Sequence, residues 1–430
     1  MNSNEICVSL DIGTSNVKVI IGEMVDDSLN IIGVGNVKSE GLKKGSIVDI
    51  DETVHSIKKA VEQAERMVGI SINQVVVSVP AINVQLQDAH GVVAVSTESR
   101  QNREISNEDV LRVIDAAQFI SLPPEREIID MIPKQFIVDG YDEISDPRGM
   151  LGVRLEVEGT IITTSRTILH NLLRCVEKAG LDITAISLQP LASGSISLSD
   201  DEKNLGVALV DIGGGSTTIA LFKNGHLKTT SVLPVGGDHI TKDLAIGLRT
   251  STEDAEKIKI KHGHAFYDDA SDEEVFDVPI IGSDQHERFT QLQISEIIEA
   301  RLEEILQLAQ KEIKKMGVGD LPGGFVLTGG VANMPGVLEL SQIVLRNNVR
   351  IAKPDYIGVR EPQYATGVGL LQFAYEQARI QGRKISTTVQ VENPEKRPAR
   401  QPQAKSHPKN SKEEQNIGKK VKRFFGLFFE

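Results

Sequence analysis

The chain has 430 residues, of which 40% are hydrophobic and 25% are charged, so it has room for two or more domains and the composition of a soluble globular protein. Its net charge of −13 argues against nucleic acid as a partner. No apolar run reaches the length of a transmembrane helix and the first residues show no signal-peptide pattern, so we expect neither. The two cysteines, Cys7 and Cys175, lie in apolar patterns, which indicates buried free thiols in a reducing compartment.

The first predicted element is a pair of strands joined by a glycine turn. The apolar run Ile6 to Leu10 leads into Asp11-Ile12-Gly13-Thr14-Ser15-Asn16-Val17-Lys18, and the run Val19 to Ile21 leads out. Short apolar runs on both sides of a glycine turn are typical of paired strands. The elements predicted next form an α/β order: a strand over Leu29 to Val37, a loop from Gly41 to Ser46, a helix from Asp51 to Val68 capped by Asp51 or Thr53, and a strand over Gln74 to Val79.

The α/β order of predicted elements ends at residue 84, where alternating strands with one clear helix begin, and it resumes near residue 160. Between these points the sequence predicts a helix that begins at the capping box Ser106-Asn107-Glu108-Asp109 and a strand over Glu127 to Val138. We interpret residues 84–160 as an inserted α+β subdomain, and residues 1–83 plus 161–203 as the first domain. The resumed part is predicted to contain a strand over Glu158 to Thr164, a helix over Arg166 to Ala179, a strand over Ile183 to Leu188 and a helix that starts at Gln189.

A second glycine turn, about 200 residues after the first, repeats its pattern. The run Leu205 to Val210 leads into Asp211-Ile212-Gly213-Gly214-Gly215-Ser216-Thr217-Thr218, and Ile219 to Phe222 follow. Successive glycines let backbone N–H groups point into a concave site that suits phosphate, and the leading aspartate could hold a metal-bound water. One such turn alone could be an ordinary hairpin. Because a third turn, Thr328-Gly329-Gly330, also follows a strand, the set favours a duplicated domain with a nucleotide between its halves.

The second half is predicted to have a main domain, residues 204–228 plus 310–382, and a smaller subdomain, residues 229–309. A strand is predicted over Val275 to Pro279. The predicted helices cover Asp238 to Leu248, Thr252 to Lys261, Gln293 to Lys315, Pro335 to Leu340 and Ala365 to Ala378.

The end of the chain has a different composition. Residues 383–416 are rich in proline, lysine and polar residues and are predicted to be a disordered linker. Residues 417–430 are predicted to be an amphipathic helix that binds to the surface of an anionic membrane. Its apolar face would contain Ile417, Val421, Phe424, Phe425 and Phe428, flanked by Leu427 and Phe429, with Lys419, Lys422 and Arg423 opposite and Lys420 at the boundary. The alternative is a helix that docks on the body of the protein or on a partner protein.

The three glycine motifs together resemble those of the actin and sugar-kinase superfamily. With the insert, the proline-rich linker and the terminal amphipathic helix, the chain from Ile6 to Phe429 resembles the FtsA family of bacterial cell-division proteins. The resemblance implies an α/β, actin-like (ribonuclease H-like) duplicated two-domain fold, with a nucleotide cleft, an inserted α+β subdomain in the first domain, and a disordered tail that ends in an amphipathic helix.

The resemblance also implies a site for ATP and Mg²⁺. Asp11 and Asp211 would organise the metal ion through water, and Gln189 would position the attacking water. A glutamine is a poor base, which favours slow hydrolysis. The alternative for Gln189 is a simple helix-start residue.

The nucleotide would be held by Gly13, Thr14, Ser15, Asn16 and Lys18 on one side, by Gly213, Gly214, Gly215, Ser216 and Thr217 on the other, and by Gly236, Gly237, Glu256, Lys259, Gly329, Gly330 and Val331 around the nucleoside. The alternative for Glu256 and Lys259 is a solvated helix face.

The resemblance further implies that the protein links filaments of the tubulin-like protein FtsZ to the cytoplasmic face of the cell membrane at the division septum. The FtsZ contact would lie on the smaller subdomain, whose helix Gln293 to Lys315 exposes Arg301 and Glu304. These two residues are candidates for the contact or plain surface charges. The insert would serve self-association and contacts with later division proteins.

Two other functions compete with this one. A small-molecule kinase of the same superfamily would need a base near the γ-phosphate, and the sequence marks no carboxylate for that role besides Asp11 and Asp211. A chaperone ATPase would need a substrate domain after the nucleotide fold, for which too few residues remain.

Overall fold

The computed structural model describes residues 5–26, 28–95, 103–283, 285–380 and 390–391. Contacts divide the chain into two units, residues 1–389 and 390–430, and the second unit is described only at the short strand β22 (Gln390–Val391). Apart from these two residues, the predicted linker over 383–416 and the predicted helix over 417–430 lie outside the described residues.

The described helices include none that is both long and apolar enough to cross a membrane.

The first half of the chain is built on a five-stranded sheet. Its order is β14-β7-β1-β2-β3; β1 to β3 run antiparallel, and β7 and β14 run parallel to β1. The strands are β1 (Glu5–Ile12), β2 (Asn16–Val25), β3 (Ser28–Lys38), β7 (Gln74–Val79) and β14 (Asp182–Leu188).

The second half repeats this sheet in order and in direction. The order is β17-β16-β15-β20-β21, with three antiparallel strands followed by two parallel ones. The predicted duplication is therefore confirmed at the level of sheet topology. The strands are β15 (Val207–Ile212), β16 (Thr217–Lys223), β17 (His226–Leu233), β20 (Phe325–Thr328) and β21 (Val349–Ile351).

Among the described residues, four helices accompany the first half: α1 (Ile50–Val68), α3 (Arg166–Lys178), α4 (Gln189–Ser197) and α10 (Ala365–Ile380). The short helix α5 (Asp200–Leu205) contacts β16 of the second half. The cap of α1 is Asp49, whose carboxylate accepts from the Glu52 backbone N–H, so the prediction of Asp51 or Thr53 was wrong by a few residues. Helix α10 packs on α4 and on the first-half sheet, although the sequence pattern placed residues up to 382 in the second half. The chain thus returns to its first half at α10, the last described helix.

Four longer helices in the described part of the chain also accompany the second half: α6 (Gly237–Gly247), α7 (Thr252–His262), α8 (Gln291–Met316) and α9 (Val337–Leu345). Their buried side chains form one core with the inner strands, and a two-stranded sheet, β18 (Val275–Pro279) and β19 (His286–Thr290), packs beside them. The helix predicted over Pro335 to Leu340 begins later, at Val337, because Gly336 has a φ of 80° that helical residues do not adopt.

The insert forms a separate four-stranded antiparallel sheet in the order β11-β10-β13-β8. One face packs on helix α2 (Asn107–Ala117), which begins at the predicted capping box of Ser106 and Asp109, and their side chains form a distinct core. The strands are β8 (Gln85–Ala94), β10 (Arg126–Val138), β11 (Tyr141–Ile144) and β13 (Arg154–Ser165). The remaining strands are short: β4 (Leu42–Lys43) and β5 (Ser46–Ile47) pair in the segment predicted as a loop, β6 covers Ile70–Ser71, and β9 (Arg103–Glu104) pairs with β12 (Leu151–Gly152).

Candidate functional site

A cavity of about 330 Å³ lies between the two halves, where the β1–β2 and β15–β16 turns face each other. Both turns close in the same way, because the first glycine donates its N–H to the carbonyl oxygen three residues later: Gly13 to Asn16 and Gly213 to Ser216, each at 3.0 Å. The repeated aspartate-glycine motif thus forms the same tight turn twice. The predicted residues that line the cavity are Asp11, Gly13, Thr14, Ser15, Asn16, Lys18, Gln189, Asp211, Gly213, Gly214, Gly215, Ser216, Gly237, Glu256, Lys259, Gly329, Gly330 and Val331.

The two turns touch across the cavity, which explains the run of glycines in the second turn. A Cβ atom on Gly214 would lie 1.7 Å from Ser15 Oγ and 2.9 Å from Asp238 Oδ1, so a side chain there would displace both groups. The Ser15 hydroxyl donates to the Asp238 carboxylate of the opposite half at 3.3 Å. These contacts join the halves at the phosphate end of the predicted site.

The two predicted metal-site carboxylates share the floor of the cavity. Asp11 accepts a hydrogen bond from the buried Ser78 hydroxyl at 2.8 Å and lies 3.6 Å from the Lys18 ammonium group. Asp211 accepts from the Gln189 side-chain amide at a longer 3.4 Å. Burial raises the pKa of Asp211 to about 6; Lys18 lowers this pKa, Asp11 raises it, and the Gln189 hydrogen bond lowers it.

The other end of the cavity contains a buried polar cluster. Lys259 on α7 is buried, and its ammonium group donates to Glu256 at 2.6 Å, to the Thr241 hydroxyl at 2.8 Å and to the Gly237 carbonyl at 3.2 Å. Thr241 also donates to Glu256. For Lys259 the alternative of a solvated helix face is therefore excluded, whereas Glu256 remains partly open to water.

Two predicted nucleotide-binding residues do not line the cavity. Thr217 is buried and its hydroxyl donates to the Val235 carbonyl at 2.8 Å. Gly236 lies behind the second turn, where a Cβ atom would meet the Gly213 carbonyl oxygen at 2.5 Å. Both residues support the turn from behind.

Two residues that the sequence pattern does not single out also contribute to the site. Ser78 lies within a predicted apolar strand, and Asp238 follows Gly236-Gly237 at the start of a predicted helix. Their sequence signals are a lone hydroxyl in an apolar run and a carboxylate beside paired glycines. The cavity is also lined by Ile260, Asn333, Met334, Glu361 and Gln363.

The two predicted partner residues lie on α8, away from the cavity. Arg301 binds Asp243 of α6 through two nitrogens, at 2.5 and 3.1 Å, and also pairs with Glu304. The Arg301 side chain is 28% exposed, so it is less available than an unpaired surface arginine, whereas Glu304 is 52% exposed.

The side chains around the cavity are net negative. Two ammonium groups, Lys18 and Lys259, lie among them. The carboxylates are Asp11, Asp211, Asp238, Glu256 and Glu361. A polyanionic ligand alone would be repelled here, so the site favours an anion that arrives with a cation.

The fold is similar to solved actin-like structures. A chain of a PilM–PilN type IV pilus biogenesis complex matches with a TM-score of 0.57 and 17% identity over 85% of this chain and 98% of that one. MreB5 of Spiroplasma citri, solved bound to ADP, matches with a TM-score of 0.53 and 14% identity over 88% of this chain and 98% of that one. With the duplicated sheet and the cleft between its halves, these matches define an actin-like fold.

Sequence comparison gives a narrower result. The family model for cell division protein FtsA matches residues 208–369, and the model for the SHS2 domain inserted in FtsA matches residues 82–163. Cell division protein FtsA of Bacillus subtilis (strain 168) is 68% identical over 385 residues, which cover 90% of this chain and 87% of that one. The chain belongs to the FtsA family of cell division proteins.

Proposed function

We propose that the protein binds ATP together with Mg²⁺ in the cleft between its halves. The observation that carries this proposal is the pair of matching glycine turns, which face one another across the cavity above Asp11 and Asp211. Backbone N–H groups of such turns suit phosphate, and Lys18 adds a positive charge beside them. The apolar side chains of Val331, Ile260 and Met334 would contact the base, and Glu256 with Lys259 would reach the ribose.

The residues of the cavity floor fit a magnesium ion bound partly through water. Mg²⁺ takes oxygen ligands and keeps several waters, with one or two carboxylates and substrate phosphates completing its shell. The part of the chain that the structure describes contains no cluster of three potential metal ligands from histidine, cysteine, aspartate or glutamate. A metal ion here would therefore depend on the nucleotide phosphates, which agrees with the net negative cavity.

Slow hydrolysis is the expected activity, so the nucleotide would act mainly as a structural ligand. Gln189 is the candidate for positioning water, and its amide donates to Asp211 across the cleft. An amide cannot accept the proton of the attacking water as a carboxylate or imidazole does.

A titration with ATP tests the proposal. The wild-type protein should bind ATP in excess Mg²⁺ and bind it far more weakly in EDTA, and Asp211→Ala should lose at least about 100-fold in Mg²⁺-dependent affinity while remaining folded. Unchanged affinity in Asp211→Ala would refute the assignment. Phosphoryl transfer to sugars, glycerol or acetate would instead support the small-molecule kinase.

In the cell the proposed role is an adaptor that anchors FtsZ filaments, the Z ring, to the cytoplasmic face of the membrane. Family membership and the net basic, phenylalanine-rich end of the sequence support this role. The proposed division of labour assigns nucleotide binding to the two halves, self-association and contact with later division proteins to residues 84–160, and FtsZ contact to residues 229–309 and the adjoining face of α8.

Vesicle co-sedimentation tests the membrane part. Deletion of residues 417–430, or Phe424→Ala with Phe428→Ala, should release the protein from anionic vesicles and leave ATP affinity unchanged, because the apolar face of the helix would be lost. Retention of both variants on the vesicles would exclude this segment as the anchor. Vesicles of neutral lipid serve as the control for the electrostatic contribution.

A binding assay with FtsZ tests the partner surface. Glu304→Lys reverses an exposed charge that pairs with Arg301 and should weaken FtsZ binding. Arg301→Ala breaks the Asp243 ion pair as well, so both variants need a stability control. Lys311→Ala, at an exposed position on the same helix, is the matched control. Wild-type affinity in both variants would move the contact elsewhere.

A further inference from the structure

The duplication places a hydroxyl side chain beside each of the two cavity carboxylates. In the second half, Asp211 lies opposite Thr328 in the parallel pair of β15 and β20. In the first half, Leu10 lies opposite Val77 in the parallel pair of β1 and β7, so the next residues along the two strands are Asp11 and Ser78. The two hydroxyl groups therefore occupy equivalent positions in the two sheets.

The equivalent hydroxyl groups make different hydrogen bonds. Ser78 is buried and donates to Asp11 Oδ1 at 2.8 Å. Thr328 is also buried, but it donates to the carbonyl oxygen of Pro362 at 3.0 Å. Asp211 is left with the longer contact from the Gln189 amide.

We propose that Ser78 is a positioning residue that fixes the Asp11 carboxylate for the magnesium-bound water, an inference that rests on the proposed function. Ser78 engages one oxygen of Asp11 and Lys18 lies nearest the other, so the plane of the carboxylate is held from two sides. A hydrogen bond from a hydroxyl group to a carboxylate is charge-assisted and directional. Outer-shell partners of this kind orient the groups that hold a metal.

The same comparison assigns a different part to Asp211. Because the Thr328 hydroxyl donates to the Pro362 carbonyl oxygen and not to Asp211, the Asp211 carboxylate can turn within the cavity with the loss of one long hydrogen bond, from Gln189. The pair therefore consists of one fixed carboxylate and one adjustable carboxylate, although the two arise from the same repeated motif.

Two variants of equal shape isolate the hydroxyl group. Ser78→Thr keeps the donor and Ser78→Val replaces it with a methyl group, so the two variants share the added bulk at this buried position and differ in the hydroxyl group. The control is Ser187→Ala: Ser187 lies opposite Ser78 on β14, is buried, and has no hydrogen-bond partner for its hydroxyl group.

The experiment measures ATP affinity in the full-length protein over a range of Mg²⁺ concentrations and in EDTA. In Ser78→Val, the Mg²⁺ concentration that gives half of the full increase in ATP affinity should be about ten times higher than in the wild type. The ATP affinity of this variant in EDTA should be unchanged. Ser78→Thr and Ser187→Ala should both show the Mg²⁺ dependence of the wild type. Wild-type Mg²⁺ dependence in Ser78→Val, or an equal shift in Ser187→Ala, would overturn the positioning role. Failure of the wild-type protein to bind ATP is a separate result that overturns the proposed function, and it would be seen before any variant is compared.

Discussion

The two halves of the molecule share a sheet topology and a glycine turn, yet they hold their cavity residues differently. In the first half the parallel strand β7 continues from Ser78 into Val79, and Ser78 binds the cavity aspartate. In the second half β20 ends at Thr328, and Gly329 turns the chain into the cavity with a φ of 90°. Duplication has therefore preserved the backbone frame, while side-chain contacts have diverged where the cavity is formed.

The halves also differ in what they carry. The first half holds the insert and receives the last described helix, α10, on its sheet, whereas the second half carries α6 and α7 beside the predicted nucleoside end of the cavity. One half thus presents additional surface, and the other completes the ligand site. The following predictions test this difference, from the largest expected effect to the smallest.

The largest effect is expected at Gly329, whose first-half counterpart is a valine. A Cβ atom there would lie 2.4 Å from Asp211 Oδ1 and 2.5 Å from the Ile212 carbonyl oxygen, on a backbone with positive φ. Gly329→Ala should therefore destabilise the protein by about 3 kcal/mol or more. Chemical denaturation measures this loss, and Gly330→Ala, whose Cβ would meet no atom within 4 Å, is the control. Equal stability of the two variants would contradict the geometry.

The next largest effect is a gain in stability on replacement of Asp211, and its size depends on pH. Burial raises the pKa of Asp211 from its ordinary value of 3.8 to about 6, so between these values the folded protein retains a proton that the unfolded chain releases. Stability therefore falls as the pH rises through this window, and the full cost of the buried charge is present above pH 6. Asp211→Asn removes this charge and should stabilise the nucleotide-free protein by about 2 kcal/mol at pH 8, after allowance for water in the cavity, and by about half as much at pH 5.

Urea denaturation in EDTA at the two pH values measures the Asp211 effect. Ser187→Ala, which changes no charge, should show no such pH dependence. A gain that is the same at pH 5 and pH 8 would mean that Asp211 titrates normally.

A moderate loss is expected at Thr328, the counterpart of Ser78. Thr328→Val keeps the shape but leaves the Pro362 carbonyl oxygen without its donor, so stability should fall by about 1 to 2 kcal/mol. The Mg²⁺ dependence of ATP binding should not change, because Thr328 does not bind Asp211. A shift in Mg²⁺ dependence as large as that of Ser78→Val would remove the difference between the halves.

The smallest effect is expected at the contact between the turns. Ser15→Ala removes the 3.3 Å hydrogen bond to Asp238, which is long and lies at the edge of the cavity, so stability should change by about 0.5 kcal/mol. Release of bound nucleotide should become about twofold faster, because one polar link between the halves is lost. Stopped-flow displacement of a fluorescent ATP analogue measures that rate, and an unchanged rate would show that the contact does not hold the cleft closed.

Local sequence patterns determined the frame of this protein. Glycine turns between apolar runs predicted the repeated strand pairs, and the capping box at Ser106 predicted the start of α2, because turns and caps depend on residues close together in the chain. The change of pattern predicted an insert, which forms its own sheet and core. The strand predicted over Glu158 to Thr164 for the first domain is instead part of β13 in the insert sheet, because it pairs with β8 and β10. The cavity between the halves could be predicted because the two turns carry the same motif.

Only the tertiary structure shows which side chains of the predicted elements contact one another. The pairing of Ser78 with Asp11 joins residues 67 positions apart, and that of Arg301 with Asp243 joins residues 58 positions apart. The packing of α10 on the first half likewise depends on which sheet offers a complementary apolar face. Hydrogen bonds and apolar packing between distant residues depend on positions that only the folded chain defines, so the motifs could predict where a site would form but not which side chains would hold it in place.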